Sequence, residues 1–290
     1  MWDTISQHLE SITGISLQSP EARSIGGGCI NQGYQLVFQN TQNCYFVKLN
    51  RATQIQMFQA EAAGLEAIAA TETILVPRPL CWGTTGNHSY LVLNWLDLGG
   101  NHWQGWQKMG RQLARLHHLS QSDRGFGWAQ NNTIGSTLQT NDWCTDWPTF
   151  WRDRRIGYQL QLGRRNGGHF PRGDDLLAAI PNLLSDHAPK PALVHGDLWS
   201  GNAAITQTGE PVIFDPAPYY GDREVDLAMT ELFGAFPTAF YQGYEQEWPL
   251  PTGHQQRKEL YNLYHLLNHF NLFGGSYESS ANRTIARLLA

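Results

Sequence analysis

At 290 residues, with 41% hydrophobic and 16% charged side chains, the chain is long enough to bury a sizeable core, either as one large domain or as two lobes around a cleft. A formal net charge of −5 and a pI near 6.1 supply no general attraction to nucleic acid or to an anionic membrane surface, so neither partner is expected. No apolar run reaches bilayer-spanning length, and Met1-Trp2-Asp3-Thr4 lacks a basic segment leading into an apolar one, which gives a cytoplasmic location as the expectation.

Along the chain, Ile5, Leu9 and Ile12 recur at helical spacing and stop at Gly14, predicting a short amphipathic helix. Residues 24–38 read as strand, glycine-rich turn and strand, and Cys44 to Leu49 follows as a third strand after Thr41-Gln42-Asn43. Phe58, Ala62, Leu65 and Ala69 share one face of a predicted helix that Val76-Pro77-Arg78-Pro79 ends. Leu80 to Gly83 and Ser89 to Leu93 are two more strands, which completes a small antiparallel sheet with one helix. After Gly99-Gly100 the pattern turns helical, at 106–118, 147–163, 174–184 and from Gln255 to the end with a break at Gly274-Gly275. A boundary near residue 97 follows, separating an N-terminal nucleotide-binding lobe, 1–97, from a mainly helical catalytic and substrate-binding lobe, 98–290. Within the second lobe, Ala192 to Val194 reads as a strand paired with Val212 to Phe214.

The loop between those strands, His195-Gly196-Asp197-Leu198-Trp199-Ser200-Gly201-Asn202, carries the strongest chemical signal. It offers an aspartate and, five positions on, an asparagine, and Asp215 stands at the end of the next strand. Phosphoryl transfer needs little covalent help, but it needs an in-line nucleophile and neutralised phosphate charge. Asp197 fits the orientation of the attacking hydroxyl, and Asn202 and Asp215 supply hard oxygen ligands for Mg2+. Upstream, Gly26-Gly27-Gly28 with Gly33 lies in a predicted hairpin whose backbone can approach phosphates closely, and it is neither a GxGxxG nor a GxxxxGK[ST] loop. Lys48 interrupts the apolar strand Tyr45-Phe46-Val47-Lys48-Leu49 and fits a clamp on the α- and β-phosphates of ATP, partnered by Glu61 on the following helix. Leu91 to Leu96 would be a hinge, with backbone groups at Asn94, Trp95 and Leu96 available to adenine.

Together these residues resemble the fructosamine kinase family, the ketosamine-3-kinases, a branch of the protein-kinase-like fold related to aminoglycoside and choline kinases. The resemblance is carried by Gly26-Gly27-Gly28-Cys29-Ile30, by Trp199 within His-Gly-Asp-Leu-Trp-Ser-Gly-Asn, and by Phe214-Asp215-Pro216-Ala217 running into Tyr220-Gly221-Asp222-Arg223-Glu224-Val225-Asp226-Leu227-Ala228. Asn141-Asp142-Trp143, Asp146-Trp147, Phe150 and Arg154 add to it. It implies an α+β, two-lobe fold, a small antiparallel sheet lobe plus a larger mainly helical lobe, and ATP- and Mg2+-dependent phosphorylation of the ketose C3 hydroxyl on glycated amines, free or protein-bound. Trp199, Asp142, Trp143 and Trp147 become candidates for substrate contact, and His195 and Asp226 for support of the catalytic loop. The resemblance further implies a monomer, with a redox-sensitive homodimer through Cys29 as the alternative. Kinases of other amine or aminoglycoside-like alcohols, and a nucleotide-binding pseudokinase, are the competing readings.

Other motifs point elsewhere more weakly. Cys29, Cys44, Cys81 and Cys144 are scattered without a CxxC pair, which indicates neither a disulfide framework nor a zinc site. His265 and His269 stand four apart on a predicted helix but lack the glutamate of HExxH and a third ligand, so they read as core or surface histidines. His117 and His118 end a helix and read as bracing for it or for a nearby loop. GxSxG is absent, which removes a hydrolase nucleophile elbow.

Overall fold

The computed structural model describes residues 1–26, 30–100 and 103–290. Helix α1 (Trp2–Thr13) ends at Gly14, whose left-handed backbone (φ 70°) caps it by donating to Glu10 O at 2.8 Å. Strands β1 (Pro20–Ile25), β2 (Gln32–Phe38) and β3 (Cys44–Arg51) lead through helix α2 (Ile55–Ala69) to β4 (Pro79–Thr85) and β5 (His88–Asn94). They form one antiparallel sheet in the order β1-β2-β3-β5-β4, with Lys48 opposite Gly33 on one side and Leu91 on the other. Alternation along the strands sends Leu36, Phe38, Val47, Leu49 and Val92 to a core shared with Ile5 and Leu9 of α1, while α2 covers the other face.

The rest of the chain is mainly helical. It comprises β6 (Leu98–Gly100), α3 (Trp103–Leu119), the hairpin β7 (Asn132–Ile134) and β8 (Thr137–Gln139), α4 (Trp147–Phe150), a π-helical turn (Trp151–Gly157), α5 (Tyr158–Arg165) and α6 (Gly173–Leu183). Then come β9 (Ala192–Val194), β10 (Ala203–Thr206), β11 (Pro211–Ile213), β12 (Tyr219–Gly221), α7 (Glu224–Leu232), α8 (Thr238–Glu247), α9 (His254–Phe273) and α10 (Tyr277–Leu288). An aromatic core of Trp147, Phe150, Trp151, Tyr261 and Tyr264 sits between α4 and α9. A second core joins Phe58, Leu65 and Ile68 of α2 to Leu113 of α3, Ile213 of β11 and Phe240 of α8, so the sheet and the helices share apolar surface. No helix among the described residues is long and apolar enough to cross a membrane.

The strand pairing corrects one expectation. Ala192 to Val194 pairs with β12, Val194 opposite Tyr219, whereas β11 pairs with β10, Ala203 opposite Ile213. The loop His195–Asn202 therefore runs from one short ribbon into another, and residues 214–218 cross between the two.

His265, on α9, is buried, and burial together with nearby His269 pushes its pKa down to about 3. Its folded-state pKa lies below the unfolded value of about 6.5, so the unfolded chain takes up the proton first. Stability from this residue is complete above that unfolded value and falls by up to about 1.4 kcal/mol per pH unit as the pH drops toward 3. Chemical denaturation between pH 7 and 4 is expected to show a shallower loss for His265→Leu than for the parent chain, and equal slopes would refute the assignment.

Candidate active site

Strand β9 leads directly into His195 and Gly196 at the start of the 195–202 loop. Gly196 has a φ of 80°, and a Cβ there would lie 2.1 Å from Ala217 O, so both the backbone conformation and the close crossing demand glycine. Gly196→Ala is expected to lower stability by about 2 kcal/mol or more and to displace the loop, read as a fall in Tm together with lost activity. A variant as stable and active as the parent would contradict this.

The loop is tied to residues 214–217 by a set of hydrogen bonds. Phe214 N donates to Asn202 O at 3.0 Å, Ala217 N donates to His195 O at 2.9 Å, and His195 Nε2 lies 3.0 Å from Phe214 O. Because a carbonyl can only accept, His195 carries its proton on Nε2, leaving Nδ1 to accept from Asp197 N at 3.3 Å. Burial holds the His195 pKa below the usual imidazole range, against the raising effect of Asp226, which suits that neutral tautomer.

Asp226, near the start of α7, fixes the loop from behind. Its Oδ2 accepts from His195 N at 2.7 Å and its Oδ1 from Gly196 N at 2.8 Å. His117 Nε2 lies 3.0 Å from Oδ2 and donates to it, while His117 Nδ1 is 2.9 Å from Tyr244 OH. Arg223 Nη1 donates to that hydroxyl at 3.3 Å, which leaves the Tyr244 proton for His117. Burial favours the neutral acid at Asp226, but the His117 hydrogen bond, the neighbouring histidines and the Gly196 N–H outweigh it and hold the carboxyl below its usual pKa. Tyr244 was not distinguishable in the sequence, and Arg223 stood in a quoted motif without a role, since their partners come from α3 and from the chain after α8.

Asn202, nearly buried, donates through Nδ2 to Asp197 O at 2.9 Å and to Asp197 Oδ2 at 3.2 Å. Among the described residues its Oδ1 has no hydrogen-bond partner. Burial, reinforced by the charges of Asp215 and Asp226 and opposed by Asn202, raises the Asp197 pKa to about 7. Asp215 follows β11 in a left-handed conformation, φ 58°, uncommon for a residue with a side chain. Its Oδ1 accepts from Lys48 Nζ, and the same ammonium donates to Glu61 Oε1 at 2.6 Å. Lys48 is 5% exposed. Burial disfavours its charge, but Asp215 and Glu61 together more than compensate and raise its pKa, whereas burial lifts Glu61 to about 6 against the pull of Lys48. Lysine from the sheet, glutamate from α2 and Asp215 thus form one hydrogen-bonded chain, and the Asn202–Asp197 pair is tied to it through the Phe214 N to Asn202 O hydrogen bond.

The remaining expected site residues divide. Gly26 follows β1, and Gly27, Gly28 and Cys29 lie outside the described residues. At the chain leaving β5, Asn94 N donates to Arg78 O at 3.1 Å, and Trp95 Nε1 donates to Asp97 Oδ1 at 2.8 Å. Trp199 is 37% exposed, two positions past Asp197. Asp142 is exposed and 3.5 Å from Arg154, while Trp143 stacks on Tyr220 at 5.9 Å with the Arg124 guanidinium 4.4 Å from its ring centroid. Trp147 is a correction: it is 2% exposed, donates to Tyr261 OH at 3.1 Å and packs on Phe126 and Trp151, a core position closed to substrate.

Comparison with known proteins agrees with the resemblance drawn from the motifs. The sequence profile described as fructosamine kinase matches residues 1–290. A protein named probable ketoamine kinase from Synechocystis is 58% identical over 99% of this chain and 97% of its own length. The chloroplastic protein-ribulosamine 3-kinase of Arabidopsis thaliana is 43% identical over 92% of this chain and 82% of its own. A crystal structure from Haemophilus somnus, assigned as a fructosamine-3-kinase, superposes with a TM-score of 0.93 at 33% identity, covering 100% of this chain and 98% of that one.

Proposed function

Because the chain belongs to the fructosamine kinase family and has its two-lobe, protein-kinase-like α+β fold, we propose that it transfers the γ-phosphoryl group of ATP to the C3 hydroxyl of a ketosamine. The acceptors are ribulosamine, erythrulosamine or fructosamine adducts of amines, and the labile ester formed would release the amine, a deglycation role. The observation that carries this reading is the convergence of the Asn202–Asp197 pair with the Glu61–Lys48–Asp215 chain.

In this reading Asp197 accepts the C3 hydroxyl proton as the oxygen attacks the γ-phosphorus and ADP departs, held next to the acceptor by the Asn202 amide. Lys48, held by Glu61, reaches the α- and β-phosphates after exchanging Asp215 for them. The donor set fits Mg2+: the Asp215 carboxylate and the unpartnered Asn202 Oδ1 are hard oxygens flanking one backbone link, Phe214 N to Asn202 O. When bound there, Mg2+ supplies neutralisation of phosphate charge. Leu96 N and the glycine-rich turn from Gly26 serve the nucleotide.

The lobes divide near residue 97 in this account, 1–97 binding nucleotide and 98–290 carrying the catalytic loop and acceptor site. A pairing of β6 with β10 supports placing the strand after residue 97 with the second lobe. A pseudokinase is disfavoured because Lys48, Asp197, Asn202 and Asp215 are all present. The test is a coupled assay of ADP release across ribulosamine, erythrulosamine, fructosamine, choline and an aminoglycoside. A ketosamine should be the preferred acceptor, and turnover confined to choline or the aminoglycoside would overturn the substrate assignment.

A further inference from the structure

The arginines of the π-helical turn face opposite ways. Arg152 pairs with Asp153 and Arg154 with Asp142 near the surface, whereas Arg155 has no exposure to solvent. Among the described residues its guanidinium meets no carboxylate: Nη1 donates to Thr140 O at 2.7 Å and to Arg154 O at 3.2 Å, Nη2 donates to Asn141 Oδ1 at 2.8 Å, and Nε has no partner. Its Cζ lies 3.9 Å from the Tyr219 ring centroid and 4.6 Å from that of Phe150. A buried cation held only by neutral dipoles and π faces is costly, and an apolar side chain of similar length would fill the space without that cost. What the cation supplies is order in its neighbours.

That order runs through three buried amides. A guanidinium can only donate, so Asn141 turns Oδ1 toward Arg155 and Nδ2 toward Asn132 Oδ1 at 2.9 Å. Asn132 then presents Nδ2 to Pro218 O at 2.8 Å. Gln139 donates through Nε2 both to Asn132 Oδ1 at 2.8 Å and to Ala217 O at 3.0 Å, and its Oε1 accepts from Tyr264 OH at 2.7 Å. The amides are thus fixed from both ends, by a cation that only donates and by two backbone carbonyls that only accept. Those carbonyls belong to the crossing segment Asp215-Pro216-Ala217-Pro218, whose Ala217 N–H donates to His195 O. Asp215 keeps its left-handed backbone there although a proline follows it, and such a conformation persists only where the surroundings over-determine it.

We propose that Arg155 is a positioning residue for phosphoryl transfer: through Asn141, Asn132 and Gln139 it fixes the carbonyls of Ala217 and Pro218, and so holds Asp215 in the conformation that presents its carboxylate to Lys48. The two prolines lock φ at about −65° and make the segment stiff, so a displaced carbonyl at 217 or 218 is passed back to Asp215. Arg155 acts at a distance, through this relay, and touches neither nucleotide nor acceptor. The inference rests on the reading of Asp215 as a Mg2+ ligand only for the consequence at the nucleotide, and the hold on the segment rests on the hydrogen bonds alone.

Two variants test it. Arg155→Lys keeps the charge and loses the fork that bonds two acceptors at once, and Gln139→Met keeps the volume and removes the donor to Ala217 O. Amide exchange followed by NMR in the nucleotide-free protein is expected to speed up by about tenfold or more at Phe214 and Ala217 in both variants, with α8 and α10 unchanged. Calorimetry should show the Mg2+-dependent part of ADP affinity falling by about tenfold while metal-free ADP binding stays as in the parent chain. Gln139→Met leaves the contacts of Arg155 in place, so it decides the matter should Arg155→Lys fail to fold. Unchanged exchange at Phe214 and Ala217 in either folded variant, exchange raised equally throughout the helical lobe, or a Mg2+ effect on ADP affinity as large in the variants as in the parent chain would overturn the proposal. Faster exchange at those two amides, in a protein whose parent chain gains no ADP affinity from Mg2+, would uphold the positioning role and defeat the reading of Asp215 as a Mg2+ ligand.

Discussion

Asp197→Asn is expected to lower kcat with a ketosamine by about 10³-fold or more while moving the KM for ATP by less than about threefold. The substitution removes the proton acceptor and keeps the side-chain size, so the hydrogen bond from Asn202 to the residue 197 carbonyl and the fit of the loop should survive. Nucleotide contacts lie with Lys48, Leu96 and the glycine-rich turn in the proposed arrangement, away from the altered group. Asp215→Ala should behave differently, weakening Mg2+-dependent nucleotide binding as well as turnover, because its carboxylate partners Lys48 directly. Steady-state kinetics with calorimetric ATP titration separates the two. Parallel losses of ATP affinity in both variants would contradict the division of roles.

Asp226→Asn should produce the largest loss of stability among single changes near the site. The carboxylate accepts three hydrogen bonds, from His195 N, Gly196 N and His117 Nε2, with no exposure to solvent. An amide keeps one oxygen and turns an NH2 group toward at least one of those donors, leaving a buried N–H unpaired at about 1–3 kcal/mol, with the lost charge-assisted bonds adding to it. A total near 3 kcal/mol lowers Tm by roughly 6–12 °C in a chain of this size, and kcat should fall because Asp197 follows directly on the loosened backbone. Calorimetric unfolding within about 2 °C of the parent chain would contradict the bracing role.

How far the molecule was legible in its sequence depends on the range of the contacts concerned. The sheet strands carry alternating patterns long enough to recognise, and β9 coincides with its predicted span, Ala192 to Val194. The loop from His195 to Asn202 was legible because its chemistry is local, the aspartate and asparagine standing five positions apart with Asp215 at the next strand end. Strands β7, β8 and β12 are three residues each and lack the apolar run Ala-Leu-Val that marks β9, so the true partner of β9 was missed.

Helix α8 escaped for a different reason. Gly243 breaks its pattern as a helix-weakening residue, yet a Cβ there would lie 2.0 Å from Gln107 O, and one at Gly110 would lie 2.0 Å from Phe240 O. The two glycines let the backbones of α3 and α8 touch, a tertiary reason that no local propensity reveals. Trp147 illustrates the same limit: its neighbours Tyr261 and Phe126 are remote in sequence, and nothing in the run Trp-Pro-Thr-Phe-Trp separates a core indole from one facing a ligand. His265 and His269 read as core or surface histidines because the HExxH glutamate and a third ligand are missing, whereas the aromatic company of His269 comes from α7 and α10.

The most direct measurement is phosphorus-31 NMR of the purified protein incubated with Mg-ATP and a ribulosamine enriched with carbon-13 at C3. A new phosphomonoester signal coupled to that carbon, appearing in step with ADP and absent with Asp197→Asn, is the predicted result. Intact ATP after prolonged incubation, or phosphate released only to water, would contradict the account.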